Sequence, residues 1–213
     1  MAENVLVICA HSDDQILGAG GTLIKYAKEG KNVHTVLMSY GESSHPWLKE
    51  SVTRKMRSEE SEEANKVIGA KSLSILGFSE GKFSGECRGK LGKKLKEVIV
   101  RLKPNMIFTH SKEDHHPDHK TTAEIVLAIA EKYVPKSEVY CFDIWTIVKT
   151  KNGTYPKLVV DISKEFKTKL RALDCFESQW LARAMLMWSI YSKAFYHGFK
   201  NDVKYAEVFS RLR

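Results

Sequence analysis

Short apolar runs rich in β-branched residues alternate along this chain with longer amphipathic stretches, and this alternation restricts the fold more than any other feature. The strands are predicted over residues 5–10, 33–39, 72–76, 106–109, 139–147 and 158–162, and the helices over residues 16–29, 50–68, 91–102 and 121–133, with a mostly helical remainder. Such alternation produces βαβ units and a doubly wound sheet. We therefore expect an α/β fold with one domain over residues 1–213, in which helices flank a Rossmann-like, mainly parallel sheet.

The composition excludes several classes of protein. Hydrophobic residues make up 43% of the chain and charged residues 28%, which is typical of a globular domain. No run of about 18 apolar residues occurs, so the sequence predicts no membrane span. The first apolar stretch is too short for a signal peptide, which favours the cytoplasm. The four cysteines are scattered without C-x-x-C spacing, which argues against a disulfide framework.

Two polar segments directly follow predicted strands. In doubly wound sheets, ligands bind beyond the carboxyl ends of the strands, where the strand order reverses. Residues 11–15 (His-Ser-Asp-Asp-Gln) follow the first strand, and residues 110–119 (His-Ser-Lys-Glu-Asp-His-His-Pro-Asp-His) follow the fourth. These segments are the two that are richest in metal-binding side chains, so we expect them to form one site at the C-terminal ends of the strands.

The residue types in these segments are those of a catalytic zinc site, which has three protein ligands and one open position for water. His11 and Asp14 from the first segment and His119 from the second can supply the three ligands. Asp13 would face the metal-bound water and accept its proton. His116, one helical turn before His119, could stabilise negative charge on the oxygen of a substrate.

Each segment also has an ordinary structural interpretation. Asp13 or Asp14 could cap the helix that follows, and Pro117 before Asp118 is typical of a helix start. The functional interpretation is favoured because both segments follow strands of the same predicted sheet. Residues 18–21 (Gly-Ala-Gly-Gly) raise the question of a dinucleotide loop, but that loop begins immediately after its strand. Here the acidic segment intervenes, so close helix packing explains these glycines better.

The two segments resemble the signatures of the PIG-L/LmbE-like family of N-acetylglucosaminyl deacetylases. Residues 10–15 (Ala-His-Ser-Asp-Asp-Gln) are similar to the family's Ala-His-Pro-Asp-Asp-Glu, and residues 116–119 match its His-Pro-Asp-His in full. The resemblance spans almost the whole chain and includes the motifs Arg57-x-x-Glu60, Ser178-Gln179 and Tyr205-Ala206-Glu207. Ser12, Gln15 and Tyr40 depart from the family pattern; serine in place of proline is expected to loosen the first loop.

The resemblance implies a zinc-dependent deacetylase and a role for each residue of the two segments. Zinc would be bound by His11, Asp14 and His119, and Asp13 would be the general base. His116 would stabilise the oxyanion or protonate the leaving amine, with Asp118 orienting it. The reaction implied is hydrolysis of the acetamide of an N-acetylglucosamine-type sugar or glycoconjugate, so the expected partner is a small N-acetylated amino sugar.

The resemblance also implies substrate contacts outside the two segments. Arg57 is the strongest candidate for a contact to sugar hydroxyls, although a salt bridge to Glu60 explains it equally well. Glu42, in a polar loop after the second strand, is a weaker candidate.

Three alternatives stay open. Ser12 and Gln15 allow a non-catalytic carbohydrate-binding relative. The net charge of +8 by itself suggests nucleic acid binding, but the lysines are spread out and no stacking-aromatic motif accompanies them, so we expect no nucleic acid partner. Residues 180–199 are rich in aromatic residues and methionine at helical spacing. Core packing is the first interpretation, and a subunit contact, which would make the protein a homo-oligomer, is the second.

Overall fold

The structure is a computed structural model that describes residues 2–144 and 155–213. Its strands are β1 (Asn4–Cys9), β2 (Asn32–Leu37), β3 (Ser72–Ile75), β4 (Met106–His110), β5 (Glu138–Phe142), β6 (Lys157–Asp161) and β7 (Ala206–Arg211). They form a seven-stranded sheet in the order β3-β2-β1-β4-β5-β7-β6. The five strands from β3 to β5 are parallel, whereas β7 is antiparallel to both β5 and β6. The expected Rossmann-like, mainly parallel sheet is confirmed.

Helices cover both faces of the sheet. They are α1 (Asp14–Lys28), α2 (Glu50–Ile68), α3 (Glu86–Leu102), α4 (Pro117–Tyr133), α5 (Phe166–Asp174) and α6 (Trp180–Phe199), with short 3-10 turns at Glu42–Ser44 and Glu177–Gln179. One core cluster packs α1, α2, α5 and α6 on the sheet, and the other packs α3 and α4. None of the helices in residues 2–144 and 155–213 combines the length and apolar character needed to cross a membrane.

β1 shows why a continuous apolar run becomes a central strand. Its side chains alternate between the two cores: Val5, Val7 and Cys9 belong to one cluster, and Leu6 and Ile8 belong to the other. All five are fully buried. Both faces of a central strand are covered by helices, so the strand needs apolar side chains at every position rather than at every second one.

The agreement between predicted and observed boundaries differs from helix to helix. The bounds of α2 agree with the prediction, and Gly69 ends this helix in the left-handed conformation, with φ of 75°. α1 begins two residues earlier than predicted, and two helices begin at least four residues earlier. α3 does so because its first described side chains are exposed, and α4 because the buried side chains of its first turn are polar. The strand predicted over residues 139–147 ends at Phe142, and residues 145–147 lie outside the described part of the chain.

The sequence interpretation missed β7, because it expected a mostly helical C-terminal region. This strand contains Glu207, a buried carboxylate that interrupts the apolar pattern. Glu207 accepts hydrogen bonds from the backbone N–H groups of Gly21 and Thr22, at 3.0 and 2.8 Å, and pairs with the Lys169 ammonium at 2.7 Å. Lys169 also donates to the carbonyl oxygen of Leu17 at 3.0 Å. The buried pair therefore fastens α1 to β7 and α5.

The glycines of α1 permit close packing against the sheet. A Cβ atom on Gly18 would lie 2.2 Å from the Phe142 ring, and one on Gly21 would lie 2.7 Å from Ile162. Both glycines lie inside the helix. The packing interpretation of residues 18–21 is thus confirmed, and it places the second turn of α1 directly beside the end of β5.

Candidate active site

Two loops meet at the C-terminal ends of β1 and β4, which are neighbours in the centre of the sheet. β2 lies on the other side of β1, so the chain order reverses between β1 and β4. This reversal is the position at which doubly wound sheets bind ligands. Residues 11–13 lie between β1 and α1, Asp14 and Gln15 are the first residues of α1, and the segment after β4 leads into α4. The structure therefore brings together the two polar segments that the sequence singled out.

Three side chains from these loops place their donor atoms at the corners of a nearly equilateral triangle. His11 Nδ1 lies 3.3 Å from Asp14 Oδ2 and 3.3 Å from His119 Nε2, and the remaining edge is 3.4 Å. Ligand atoms about 2.0–2.1 Å from a tetrahedral metal would be roughly 3.3–3.4 Å apart. All three residues are buried. The predicted ligands His11, Asp14 and His119 thus form a set that fits a metal ion.

The electrostatics of this triangle favour positive charge at its centre. Burial alone lowers the pKa of His11, but the carboxylates of Asp118 and Asp14 raise it to about 10. Burial likewise lowers the pKa of His119, which Asp14 and Asp114 raise to about 9. Burial raises the pKa of the Asp14 carboxyl, yet the charge of His119 holds it well below its usual range. A metal ion would replace the protons of both imidazoles, so its binding should strengthen as the pH rises.

Each candidate ligand histidine has a carboxylate near its second ring nitrogen. Asp114 Oδ2 lies 3.2 Å from His119 Nδ1, and Asp118 Oδ2 lies 3.4 Å from His11 Nε2. Asp114 is fully buried and accepts the N–H of His116 at 3.0 Å. Such carboxylates fix the orientation of a metal-binding imidazole and raise its basicity. The sequence interpretation assigned no role to Asp114, although the need of His119 for an acceptor on its free nitrogen was a usable signal.

We expect an Asp114→Asn substitution to weaken metal binding about 10- to 100-fold without changing the ligand set. The asparagine amide keeps an oxygen for the backbone N–H of His116 but loses the charge that faces His119. A competition titration with a zinc-chelating dye measures the effect. Glu113→Gln removes an exposed carboxylate from the adjacent position and is the matched control. Equal affinities for the two variants would contradict the role of Asp114.

His116 is placed to donate a hydrogen bond. It occupies the N-cap position of α4, where its Nδ1 accepts the backbone N–H of Asp118 at 3.2 Å. The proton of the neutral ring therefore belongs on Nε2. Burial, followed by the charge of His11, lowers the pKa of His116 and favours that neutral form. The expectation that Asp118 orients His116 is corrected in one respect: the backbone of Asp118 makes this contact, while its carboxylate contacts His11.

Asp13 remains accessible beside the triangle. It precedes the first residue of α1, but its side chain makes no capping hydrogen bond, so the capping interpretation is wrong for this residue. Its carboxylate is 20% exposed and lies 3.4 Å from an Arg57 nitrogen. A carboxylate next to a candidate metal site, held from one side and open on the other, can act as a proton acceptor.

Arg57 is nearly fully buried, with 2% of its surface exposed. Besides Asp13, it lies 3.4 Å from Glu60 Oε2, so the salt bridge weighed in the sequence interpretation is present. Glu60 in turn accepts hydrogen bonds from the backbone N–H and the hydroxyl of Ser178, at 2.7 and 2.8 Å. The position of Asp13 is therefore tied through Arg57 to α2 and to the segment before α6.

Glu42 binds the loop that contains Glu80. Its carboxylate is 7% exposed, accepts the backbone N–H of Glu80 at 3.2 Å and pairs with Arg54 at 3.5 Å. Glu80 in turn places its own carboxylate 3.8 Å from His11 Nε2. The loop that begins at residue 79 therefore forms one wall of the site, and Glu80 is a site residue that the sequence interpretation missed.

His110 is a second residue of the site that the sequence interpretation left without a role. Its ring is fully buried and stacks on His119, with ring centroids 3.8 Å apart and planes inclined by 13°. Its Nε2 accepts the backbone N–H of Ala10 at 3.0 Å. The pKa of His110 is lowered to about 4, mainly because the ring is buried. A neutral ring thus supports one face of His119, one of the three candidate ligands.

The departures from the family signature are accommodated in the first loop. Ser12 is fully buried and its hydroxyl donates to the carbonyl oxygen of Tyr40 at 3.0 Å. Gln15 is also fully buried, and its amide donates to the carbonyl oxygen of Ser12 at 3.3 Å. The expectation that serine loosens this loop is therefore wrong, because its hydroxyl makes a bond that proline lacks.

Two relatives with assigned activities are similar to this chain over most of their length. A Bacillus cereus protein described as a probable N-acetyl-alpha-D-glucosaminyl L-malate deacetylase 2 is 28% identical over 187 residues, which cover 84% of each chain. A Pseudomonas putida 4-oxalmesaconate hydratase is 27% identical over 196 residues, which cover 83% of this chain and 74% of the hydratase. Similar sequences in this group thus carry at least two different activities.

A structural and a family match complete the comparison. The solved structure of N,N'-diacetylchitobiose deacetylase from Pyrococcus horikoshii superposes with a TM-score of 0.82 at 23% identity, over 99% of this chain and 84% of that one. At this level of identity, the similarity shows that the two proteins share a fold. Residues 6–130 match the family described as PIG-L: GlcNAc-PI de-N-acetylase, and this range contains both loops of the site. The chain therefore belongs to the PIG-L (GlcNAc-PI de-N-acetylase) family.

Proposed function

We propose that this protein is a zinc-dependent hydrolase that removes the N-acetyl group from an N-acetylglucosamine-type sugar or glycoconjugate. The observation that carries the proposal is the buried triangle of His11, Asp14 and His119 with the accessible carboxylate of Asp13 beside it. A bound metal ion lowers the pKa of water and an adjacent carboxylate can accept the released proton, so this arrangement can activate water for attack on an amide. The deacetylase named among the relatives supports this choice of reaction.

In the proposed mechanism, His11, Asp14 and His119 hold the zinc. The chemistry supplied by a bound zinc is a water molecule of lowered pKa and a polarised acetamide carbonyl. Asp13 accepts the proton of the attacking water. His116 donates a hydrogen bond from Nε2 to the oxygen that becomes negative as the carbonyl carbon turns tetrahedral. The proton held on Asp13 then passes to the leaving nitrogen, so acetate and a free amine are released.

The sugar contacts proposed for Arg57 and Glu42 remain predictions. Both side chains are almost fully buried and already have charged partners, which favours supporting roles. Arg57 would act through Asp13, and Glu42 through the loop that carries Glu80. Exposed polar groups at the rim would then make most contacts with the sugar.

Acetate release from purified, zinc-loaded protein tests the proposal. Suitable substrates are N-acetylglucosamine, N,N'-diacetylchitobiose and N-acetylglucosaminyl malate. We expect equal amounts of acetate and free amine from at least one of them, loss of turnover after metal chelation and recovery on adding zinc. Zinc binding with sugar binding but no turnover would instead identify a non-catalytic relative.

Because one of the relatives is a hydratase, the assay should also test this protein for hydration. 4-Oxalmesaconate is incubated with the zinc-loaded protein, and its conjugated absorbance is followed. Loss of that absorbance, with no acetate released from any N-acetylated sugar, would replace the proposed deacetylation by hydration. Deacetylation alone would separate this chain from its hydratase relative.

A further inference from the structure

Helix α6 carries a seam of exposed apolar side chains along its whole length. The seam consists of Leu181, Met185, Trp188, Phe195 and Phe199, whose exposed fractions are 57, 66, 84, 60 and 74%. Successive positions are three or four residues apart once the exposed Ser192 is included. This is the spacing with which two helices pack along their lengths. The core interpretation of residues 180–199 therefore fails for this face of the helix.

The opposite face of α6 fixes the direction in which the seam points. Ile190, Ala194 and Gly198 are buried, and two of them belong to the core cluster. A Cβ atom on Gly198 would lie 2.6 Å from the backbone of Lys204, so this side of the helix is packed closely against the chain that follows. The seam cannot rotate inward without breaking that packing, and it stays directed away from the domain.

Charge argues against a lipid surface as the partner. Helices that lie on membranes place lysine and arginine on the polar side that flanks their apolar face. The two charged side chains of α6 are directed into the molecule: Arg183 binds Asp174 and the carbonyl of Leu173, and Lys193 donates to the carbonyl of Ile144. The seam itself carries no charged residue. An uncharged seam without flanking basic side chains is suited to an apolar protein surface.

The seam is complementary to itself in an antiparallel arrangement. Around a twofold axis near position 190, Leu181 would face Phe199 of the partner subunit, and Met185 would face Phe195 of the partner subunit. Trp188, the largest side chain, would face Ser192 of the partner subunit, the smallest residue of the seam. Large side chains therefore meet small ones at the centre of the seam, which is the condition for close packing in an isologous interface.

The exposed apolar area is close to the area that one partner buries in a stable dimer. The five seam residues together expose roughly 700 Å² of mostly apolar surface, judged from typical side-chain areas. This exceeds the roughly 300–600 Å² of the largest apolar patch on an ordinary monomer and approaches the roughly 800 Å² that each partner buries in a stable interface. We propose that α6 is the interface between two copies of this chain, which pair antiparallel through this seam.

Sedimentation of the full chain tests the pairing. We expect a mass of twice 24.2 kDa for the parent protein and of 24.2 kDa for Trp188→Asp. Trp188 is largely exposed within one chain, so its replacement should leave the fold, measured by circular dichroism, unchanged. Tyr133→Asp introduces the same charge at an exposed aromatic residue at the end of α4 and should leave the dimer intact. A monomeric parent, or an assembly that Trp188→Asp does not dissociate, would overturn the proposal.

Cross-linking tests the antiparallel register. The Trp188→Cys/Ser192→Cys double variant should form a disulfide-linked dimer on mild oxidation, because these two positions face each other across the axis. Each single variant should give far less cross-linked product. Equal cross-linking by the single variants would reject this register. Binding of the parent to phosphatidylglycerol vesicles, without formation of a dimer, would assign the seam to a membrane and reject the second copy.

Discussion

An Asp13→Asn protein is expected to retain its zinc and to release acetate about 100- to 10,000-fold more slowly than the parent, the range typical of losing a general base. Asparagine keeps an oxygen that can accept from Arg57, 3.4 Å away in the parent, so the loop should keep its shape. It cannot take a proton from water. Metal analysis and an acetate assay on the same preparation measure the two effects.

Asp14→Asn is the informative contrast, because it changes the adjacent carboxylate that we assign to the metal. That variant should lose zinc and turnover together, whereas Asp13→Asn should lose turnover alone. Glu113→Gln, which changes an exposed carboxylate in the second loop, should alter neither. Undiminished turnover in Asp13→Asn would remove Asp13 from the mechanism, and zinc loss in that variant would make Asp13 a ligand.

A Lys169→Met substitution is expected to lower the free energy of unfolding by about 3–5 kcal/mol, since it leaves the buried Glu207 charge without its partner. Lys169 and Glu207 are 4 and 7% exposed, and their charged atoms lie 2.7 Å apart. The carboxylate also binds backbone amides in the middle of α1. Urea unfolding of metal-free protein measures the loss without a contribution from bound zinc.

The Lys169→Met/Glu207→Gln double variant should lose less stability than the sum of the two single variants, because it leaves no buried charge uncompensated. Lys28→Met is the matched control. Its pair with Glu165 has a similar separation, 3.0 Å, but the Lys28 side chain is 56% exposed. Its removal should cost about 1 kcal/mol or less. Equal losses for Lys169→Met and Lys28→Met would show that burial gives the Lys169 pair no special role.

The sequence predicted well which side chains lie together at the site, because the relevant signals are local. A polar loop directly after a β-branched run marks the end of a strand, and parallel strands end at the same edge of the sheet. His11, Asp14 and His119 were therefore predicted to lie together, and they do. The roles of their neighbours were predicted less well. Whether Asp118 contacts His116 or His11 depends on the orientation of side chains in two different loops. The spacing of residues along the sequence does not predict that orientation.

Residues distant in sequence account for most of what was missed. β7 was not recognised, because its buried Glu207 breaks the apolar pattern of a strand. The backbone of α1 and the Lys169 ammonium stabilise this carboxylate, and both are distant in sequence. The link from Asp13 through Arg57 joins the first loop to α2, 44 positions away along the sequence. The exposed seam of α6 was predicted first as core, since helical periodicity identifies an apolar face but not what covers it.

The sequence by itself determined the α/β architecture, the family and the meeting of His11, Asp14 and His119 in one place, because each depends on periodicity or on residue types at short spacing. Only the tertiary structure decided which carboxylate supports each ligating histidine, how Ser12 holds the first loop and which face of α6 is left exposed. These features depend on contacts between separate elements. The free energy of such contacts follows from distance and burial in the folded chain, and neither is encoded in a local pattern.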